Sequence, residues 1–185
     1  MKNPFLTGKK IYLSPLTEED ITKEYISWLN DEKICEGNSH AVYPNNYLKT
    51  LAYVKSVSES KTELVFAVRW KKNDIHIGNA SIQNINYINR SAEMAIIIGN
   101  KNYWNKGVST EILTLLIEYG FMRLNLNRIS AATPLINKGG LKICENNNMK
   151  REGIMKEAMF KNGKYNDVAV YSILLKDYKK QIKQS

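Results

Sequence analysis

The hydrophobic and polar positions of the first sixty residues predict one strand and two helices. Lys9 to Ser14 alternates as a short strand does. Thr17 and Asp20 resemble a capping box at a helix start, with Asp in place of the usual Glu. The apolar residues of this helix fall on one face: Ile21, Tyr25, Trp28 and Leu29. Residues 45–57 predict a second helix, with these residues directed inward: Leu48, Leu51, Ala52 and Val54.

After residue 60 the spacing of the hydrophobic residues changes from one typical of helices to one typical of strands. Leu64 to Trp70 is rich in β-branched and aromatic residues, which predicts a strand. Ile75 to Ile85 and Ala92 to Ile98 predict two more strands, joined as a hairpin across the polar turn 86–90. A helix from Lys106 to about Met122 follows, because its apolar residues recur at helical spacing.

The last third alternates again between strands and a helix. Arg128 to Thr133 predicts a strand that Pro134 stops, and 137–145 predicts a short helix. Residues 149–160 and 165–175 predict two final strands joined by the turn Asn162-Gly163. The polar tail, residues 176–185, is expected to be frayed.

The resulting order is β-α-α-β-β-β-α-β-α-β-β. We find no internal repeat and no linker-like composition, so the pattern predicts one mixed α/β domain over residues 1–185, with its core at about 9–175.

Composition narrows the class of protein. The chain is 43% hydrophobic with 10 Gly and 4 Pro, which argues against disorder and fibrous repeats. No apolar run approaches membrane-spanning length and the N-terminus lacks a signal-peptide core, so we expect a cytoplasmic protein with no membrane partner. Cys35 and Cys144 have no metal-ligand spacing and do not indicate a disulfide framework.

The net charge of +9 is concentrated near the C-terminus. Residues 121–185 carry 13 basic and 5 acidic side chains. This excess either attracts an anion or forms a solvated basic face. Nucleic acid is not expected, because the basic residues are scattered among apolar strand positions and no nucleic-acid-binding motif is present.

One segment of the chain gives the clearest indication of a binding site. It covers residues 103–111 and reads Tyr-Trp-Asn-Lys-Gly-Val-Ser-Thr-Glu. It connects an apolar strand to a helix through small and polar residues. Unpaired N–H groups at the positive end of a helix dipole bind phosphates, so the segment predicts an anion site. Taken alone, it also fits an ordinary helix start capped by Ser or Thr.

The order and spacing of several motifs resemble the GNAT superfamily of acetyl-CoA-dependent N-acyltransferases. The branch it most resembles contains the ribosomal-protein N-terminal acetyltransferases. The matching segments are 11–16, Asp20, 28–31, 77–79, 92–93, 103–111, 126–129, Asn137, 151–153 and 165–167. The resemblance implies a central, mostly antiparallel sheet that splays apart at the cofactor site.

The family's phosphate loop reads Arg/Gln-x-x-Gly-x-Gly/Ala. Trp104 stands at its first position, as is common in this branch, with Gly107 at the fourth and Ser109 at the sixth. Asn105 stands where the branch usually has Gly. Because Asn adopts left-handed backbone conformations more readily than most residues, we still expect pyrophosphate binding.

By this resemblance, acetyl-CoA is the co-substrate and no metal is required. Asn137 is expected to bind the pantetheine arm, although it also fits a helix N-cap. The residues expected to bind acetyl-CoA are Ile97, Ile98, Gly99, Trp104, Asn105, Lys106, Gly107, Val108, Ser109, Thr110 and Asn137.

Two side chains are candidates for proton transfer. Glu93 interrupts an apolar strand and is the candidate base, although it could instead be an exposed residue or pair with Arg90. Cys144 occupies the position of the family's usual tyrosine acid; it could donate weakly or serve as a small buried apolar residue. His76 could relay a proton or simply be packed in its strand.

The acceptor groove is expected between the first two helices and the last two strands. The residues expected to line it are Trp28, Asn30, Tyr43 and Tyr171, although Trp28 and Tyr171 also fit a core. A basic chain disfavours polycationic amines, so we expect a small-molecule amine such as a nucleotide-linked amino sugar. Two alternatives stay open: a protein N-terminus as acceptor, and a non-catalytic acyl-CoA-binding module. A homodimer is also left open.

Overall fold

The computed structural model describes residues 1–184. Eight strands form one sheet in the order β1-β2-β3-β4-β5-β6-β8-β7. Neighbouring strands are antiparallel except β5 and β6, which are parallel. The strands are β1 (Leu6–Thr7), β2 (Ile11–Pro15), β3 (Leu64–Trp70), β4 (His76–Asn86), β5 (Ser91–Ile98), β6 (Arg128–Pro134), β7 (Lys150–Lys161) and β8 (Lys164–Leu174).

Five α-helices cover the sheet: α1 (Lys23–Leu29), α2 (Tyr47–Glu59), α3 (Val108–Met122), α4 (Lys138–Asn146) and α5 (Leu175–Gln184). The main core lies between the sheet and α3, and includes the fully buried Ile77, Ile112, Leu116 and Ile129. A second apolar cluster on the opposite face joins α1 and α2 to the sheet. The mixed α/β order predicted from the pattern is therefore confirmed, with β1 and α5 in addition.

Local chemistry explains where the first two helices begin. The capping box of Thr17 and Asp20 is present, but it closes only a 3-10 turn over Glu18–Asp20. Thr22 caps α1 by accepting a hydrogen bond from the Tyr25 N–H. Asn46 caps α2 by accepting from the Lys49 N–H. These are the residue types that satisfy unpaired N–H groups at helix starts.

Three expectations about the elements were wrong. The tail is helical through Gln184, because Tyr178 packs against Phe121 at a ring-centroid distance of 5.2 Å; Ser185 lies outside the described residues. The helix expected from Lys106 begins at Val108, because Gly107 has a left-handed backbone with φ of 73°. Leu48 is 73% exposed and Ala52 is exposed too, whereas Val54 is buried as expected, together with Thr50 and Val57.

The β7–β8 hairpin confirms the predicted turn. Asn162 and Gly163 have φ values of 52° and 73°. Two successive positive φ values are what a two-residue type I′ hairpin turn requires.

Candidate functional site

The divergence of β5 from β6 opens a cavity of about 960 Å³. The two strands pair only as far as Glu93 and Ser130. Beyond this point the remainder of β5, residues 94–98, and residues 131–133 of β6 line opposite sides of the cavity. Separated strands leave backbone groups without ladder partners, which a bound ligand can use.

A loop between β5 and α3 forms one end of the cavity. The Trp104 indole N–H donates to the Ile98 carbonyl at 2.8 Å, which ties the loop to the end of β5. Asn105 and Gly107 both have left-handed backbones, with φ values of 58° and 73°. Asn105 therefore adopts the conformation expected of it in place of the usual Gly.

The start of α3 faces the cavity. Gly107, Val108, Ser109 and Thr110 all line it. The Glu111 N–H is already bonded to the Gly107 carbonyl at 3.1 Å, so the N–H groups before it have no intrahelical acceptor. These N–H groups and the positive end of a 15-residue helix suit a pyrophosphate.

Lys10 adds a cation beside this loop that the sequence pattern did not indicate. Its Nζ donates to the Lys106 carbonyl at 2.7 Å and would lie 3.7 Å from a Cβ added at Gly107. The Glu111 carboxylate accepts from the Lys10 N–H at 2.9 Å and holds this turn in place. Lys10 is nearly 100 residues away in sequence, so no local motif could have revealed it.

Two of the residues expected to bind the cofactor do not line the cavity. Gly99 is buried under Trp28, and a Cβ at Gly99 would fall 1.9 Å from the Trp28 Cδ2. Lys106 is exposed, with its Nζ 5.3 Å from the centroid of the Tyr103 ring. The other nine line it: Ile97, Ile98, Trp104, Asn105, Gly107, Val108, Ser109, Thr110 and Asn137.

The start of α4 closes the same end of the cavity. Asn137 is the N-cap of α4, with its Oδ1 accepting from the Gly140 N–H at 2.9 Å. Asn137 therefore caps the helix and lines the cavity at once. Cys144 also lines the cavity but is 4% exposed, and burial raises the pKa of its thiol to about 11. At neutral pH this side chain is a protonated thiol.

Glu93 lies at the rim of the cavity rather than on its wall. It is exposed, and its partner across the ladder is Gln83, which lines the cavity. Side chains opposite one another on antiparallel strands share a face of the sheet, so Glu93 is on the cavity side. The expected alternative pairing with Arg90 is not formed, because Arg90 bonds Asn125.

Only one of the four residues expected to line the acceptor groove lines the cavity. Tyr43 lines it and is 71% exposed. Trp28 and Tyr171 are 4% and 2% exposed and belong to the two apolar cores, so their assignment to the groove was wrong. Asn30 instead orders the loop after α1, with its Oδ1 accepting from the Asn45 N–H at 2.8 Å.

The cavity wall beneath α1 and α2 is built from residues that the sequence did not single out for a binding role. Asn79, Ser81 and Gln83 alternate along β4 and form a polar floor, which Tyr25 and Tyr53 of the two first helices face. The sequence did indicate that these three polar residues share a face, because they occupy every second position of β4. The prominent isoleucines of this strand drew attention away from that alternation.

The charges around the cavity are mostly positive. The lining contains Lys33, Lys49 and Lys142 but one carboxylate, Glu36. Burial, with Lys161 and Lys49 nearby, lowers the pKa of His40, which also lines the cavity. Among residues 1–184, no group of three or more metal-ligating side chains is positioned to hold an ion, and no helix is long and apolar enough to cross a membrane.

Comparisons with known proteins agree with this geometry. A model of the acetyltransferase (GNAT) domain matches residues 10–150. The uncharacterized N-acetyltransferase p20 of Bacillus licheniformis is 33% identical over 113 residues, 61% of this chain and 63% of its own length. The putative ribosomal N-acetyltransferase YdaF of Bacillus subtilis is 30% identical over 101 residues, 55% of either protein. The matches thus span less than two thirds of these two relatives.

A solved structure is similar over nearly the whole chain. The spermidine N-acetyltransferase of Vibrio cholerae, in complex with CoA and spermine, superposes with a TM-score of 0.85 at 26% identity, over 93% of this chain and 99% of that one. The chain therefore belongs to the GNAT acetyltransferase family, the acetyl-CoA-dependent enzymes whose motifs its sequence resembles.

Proposed function

We propose that this chain transfers the acetyl group of acetyl-CoA to a primary amine of a small molecule. One observation carries the proposal. A single cavity joins the open N-terminus of α3 to the gap between β5 and β6, and then to a polar floor under α1 and α2. This arrangement supports a phosphate site, a channel for a linear arm and an acceptor site in series.

In this reading the pyrophosphate binds the α3 N-terminus and the pantetheine arm follows the gap. Asn137 and those backbone groups of β5 that have no partner on the β6 side beyond Glu93 hold the arm beside β5. The acceptor amine enters over Ser81 and Gln83. The amine nitrogen attacks the thioester carbon, a tetrahedral oxyanion forms, and the CoA thiolate leaves as the carbonyl reforms. No covalent intermediate with the protein is needed.

An alkyl amine must lose a proton before it attacks, because its ammonium form has a pKa of about 10. We assign the base role to Glu93, which lies at the cavity rim on the side where the amine enters. Its carboxylate would accept the amine proton directly or through one water.

Cys144 is the candidate donor to the leaving thiolate. Its thiol is protonated and lines the cavity, although a thiolate also leaves readily without a dedicated acid.

The role of Glu93 is tested by Glu93→Gln, which keeps the shape and removes the base. We expect kcat/KM for the amine to fall by about 10²- to 10⁴-fold, while CoA affinity is retained. Glu118→Gln, on the exposed face of α3, is the matched control. Full activity of Glu93→Gln would assign the base elsewhere.

The charges favour an acceptor that carries a negative group. Three lysines and one glutamate line the cavity, so a polycation would meet net repulsion there. An amino sugar linked to a nucleotide supplies both an amine and phosphates. The Vibrio cholerae enzyme holds spermine in its structure, and this supports a small-molecule amine while leaving the charge of the acceptor to be tested.

The test measures CoA release from acetyl-CoA with four acceptor classes: nucleotide-linked amino sugars, spermidine, an aminoglycoside and a peptide with a free N-terminus. We expect the highest kcat/KM for an anionic small molecule. A preference for spermidine would overturn the charge argument, and a preference for the peptide would overturn the small-molecule proposal. Tight CoA binding without turnover on any class would indicate a binding module.

A further inference from the structure

Asn79 is a polar side chain that is almost completely buried and yet lines the cavity. It lies in β4, is 8% exposed, and alternates along the strand with Ser81 and Gln83. In the β4–β5 ladder it is directly opposite Ile97, so the two side chains share the cavity face. The two backbones approach closely here, because a Cβ added at Gly78 would fall 2.2 Å from the Ile97 carbonyl oxygen. Asn79 is therefore beside the end of β5, where the thioester is expected.

His76 fixes the orientation of the Asn79 amide. The His76 Nε2 lies 2.9 Å from the Gly78 carbonyl oxygen and 2.8 Å from the Asn79 Oδ1. A backbone carbonyl only accepts, so Nε2 carries a hydrogen and cannot face an NH₂ group. The amide oxygen of Asn79 therefore faces His76, and its nitrogen is directed away from that ring. Packing at 5.1 Å on the Trp28 ring and 5.5 Å on the Tyr25 ring, centroid to centroid, holds the imidazole in place.

The Asn79 nitrogen is left as a hydrogen-bond donor that the chain does not use. No hydrogen bond between the described residues, 1–184, involves the Asn79 Nδ2. In the same part of the chain, the one completely buried side-chain nitrogen or oxygen without a partner is the His76 Nδ1, so the Asn79 nitrogen is open to the cavity. It carries two hydrogens, and one remains for a ligand even where the Tyr25 phenol on the same wall takes the other.

Ser81 adds a second donor on the same face of β4. It is 6% exposed, and its oxygen accepts a hydrogen bond from the Gln83 Nε2 at 2.8 Å. Its hydroxyl hydrogen is then available to a ligand. Alternate residues of a strand are about 6.6 Å apart, so the two donors lie within the length of one small molecule. The floor under α1 and α2 therefore offers hydrogens to an acceptor that carries oxygen atoms.

The position of Asn79 limits where that oxygen is attached. The acceptor amine must reach the thioester at the end of β5, and Asn79 is opposite Ile97 at that level. An asparagine side chain is short, so its amide meets only those atoms that lie close to the reacting nitrogen.

We propose that the Asn79 amide donates a hydrogen bond to an acceptor oxygen carried by the carbon next to the one that bears the amine. This inference rests on the proposed function and makes Asn79 a residue that determines specificity. The acceptors it selects are 2-amino alcohols, a class that includes amino sugars with a hydroxyl beside the amine. Plain alkyl amines and polyamines have no such oxygen. They would leave the buried donor unpaired, which is how a polar site rejects an analogue that lacks one hydroxyl.

The test compares two amines with the same ring, trans-2-aminocyclohexanol and cyclohexylamine, by CoA release from acetyl-CoA. We expect wild type to prefer the amino alcohol at least about 100-fold in kcat/KM. Asn79→Leu should remove most of this preference, by lowering kcat/KM for the amino alcohol while that for cyclohexylamine is retained. The hydroxyl also changes the basicity of the amine, but this effect cancels between wild type and variant. Asn89→Leu, in the exposed turn between β4 and β5, is the matched control.

His76→Phe tests the orientation of the amide with Asn79 still present. The phenyl ring keeps an aromatic group against Trp28 and Tyr25 but removes the Nε2 donor, so the amide is free to turn. We expect the preference for the amino alcohol to fall several-fold, which a purely structural role would not produce, since lost packing lowers kcat/KM for both amines alike.

Two results would overturn the inference while leaving acetyl transfer intact. One is an equal change in kcat/KM for the two rings in Asn79→Leu, or in His76→Phe where Asn79→Leu does not fold. The other is that the amines acetylated by wild type carry no oxygen beside the amine, as in spermidine. A wild type without turnover on any amine would overturn the proposed function, and this inference with it.

Discussion

His76 is half-buried and packed between the rings of Trp28 and Tyr25, and this environment gives the fold a pH dependence. Burial lowers its pKa, since the cavity-side contacts with Asn79 and Gly78 only partly offset the loss of water. The aromatic contacts of His76 support the prediction that this residue is packed in its strand rather than relaying a proton. The centroid of its ring lies 5.1 Å from that of Trp28 and 5.5 Å from that of Tyr25. Charged groups near it are Asp20, which favours protonation, and Arg69, which opposes it.

The sign of the effect follows from the lowered pKa. Below the unfolded-state pKa of about 6.5, the unfolded chain binds a proton that the folded chain does not, so acid favours unfolding. We expect the free energy of unfolding to fall by up to about 1.4 kcal/mol per pH unit from this residue as the pH drops below about 6.5. Urea unfolding of wild type and His76→Gln across this range should show a shallower slope in the variant. Parallel slopes would mean that His76 does not titrate differently in the folded state.

At the level of single residues, the sequence could identify side chains with unusual local settings but not their long-range neighbours. Asn105 was expected to tolerate a left-handed backbone, and it has one. Lys10 carries no local signal, because its position depends on contacts with a segment far away in sequence. Trp28 and Tyr171 were assigned to a groove because aromatics serve in both cores and binding sites.

The loop before α3 is the element whose geometry most directly identifies the family. Gly107 has a left-handed backbone and open space on its cavity side, where a Cβ would meet only the Lys10 Nζ at 3.7 Å. This space is where we expect a phosphate to approach. A large side chain there would block the approach without entering the apolar core.

We expect Gly107→Trp to weaken CoA binding at least about 100-fold, because it occupies the phosphate approach and moves the helix N-terminus. Isothermal titration calorimetry with CoA measures the change. Gly163→Trp is a matched control, because Gly163 has the same φ of 73° and no atom within 4 Å of its added Cβ. Both variants share the backbone strain of a left-handed residue, so only the ligand approach distinguishes them. Equal CoA affinity in the two variants would place the phosphate elsewhere.

The regular elements were predictable where the hydrophobic period is clear. The strand expected over Leu64–Trp70 has those bounds, and the Asn162-Gly163 turn lies where expected. The face of α2 was only partly predicted, with Leu48 and Ala52 exposed and Val54 buried, because its apolar and polar residues do not form one clean stripe. The C-terminal helix was missed because most of its residues are polar, and its order comes from the contact of Tyr178 with Phe121.

Across the whole molecule, the excess of positive charge is expected to act on the acceptor. Lys49 lines the cavity, and Lys161, which is 7% exposed, lies near the same loop with its Nζ 3.3 Å from the Asn38 carbonyl oxygen. Attraction of an anionic acceptor to such a site weakens as salt screens it.

We therefore expect Lys49→Gln to raise KM for an anionic acceptor several-fold, with kcat nearly unchanged, and to reduce the salt dependence of kcat/KM. Lys180→Gln changes the net charge equally on the exposed face of α5 and is the control. Steady-state kinetics at two ionic strengths measure both effects. Equal KM values and equal salt dependence in the two variants would contradict a role for Lys49 in attracting the acceptor.

The cofactor class could be inferred from sequence far better than the acceptor. Most of the residues expected to bind acetyl-CoA lie in one loop and helix start, 104–110, and they remain adjacent in the fold. The wall proposed to bind the acceptor combines α1, the following loop, α2 and alternate residues of β4, so its lining and its charge emerge only when those segments come together.

The central claim is that this cavity supports acetyl transfer from acetyl-CoA to an amine. Mass spectrometry of a pooled set of amines incubated with the enzyme and carbonyl-labelled acetyl-CoA tests it most directly. We expect a labelled N-acetyl product from a small-molecule amine, formed by wild type and nearly lost in Gly107→Trp. Binding of CoA to wild type without label on an amine of any class, or product formation by Gly107→Trp at the wild-type rate, would contradict acetyl transfer in this cavity.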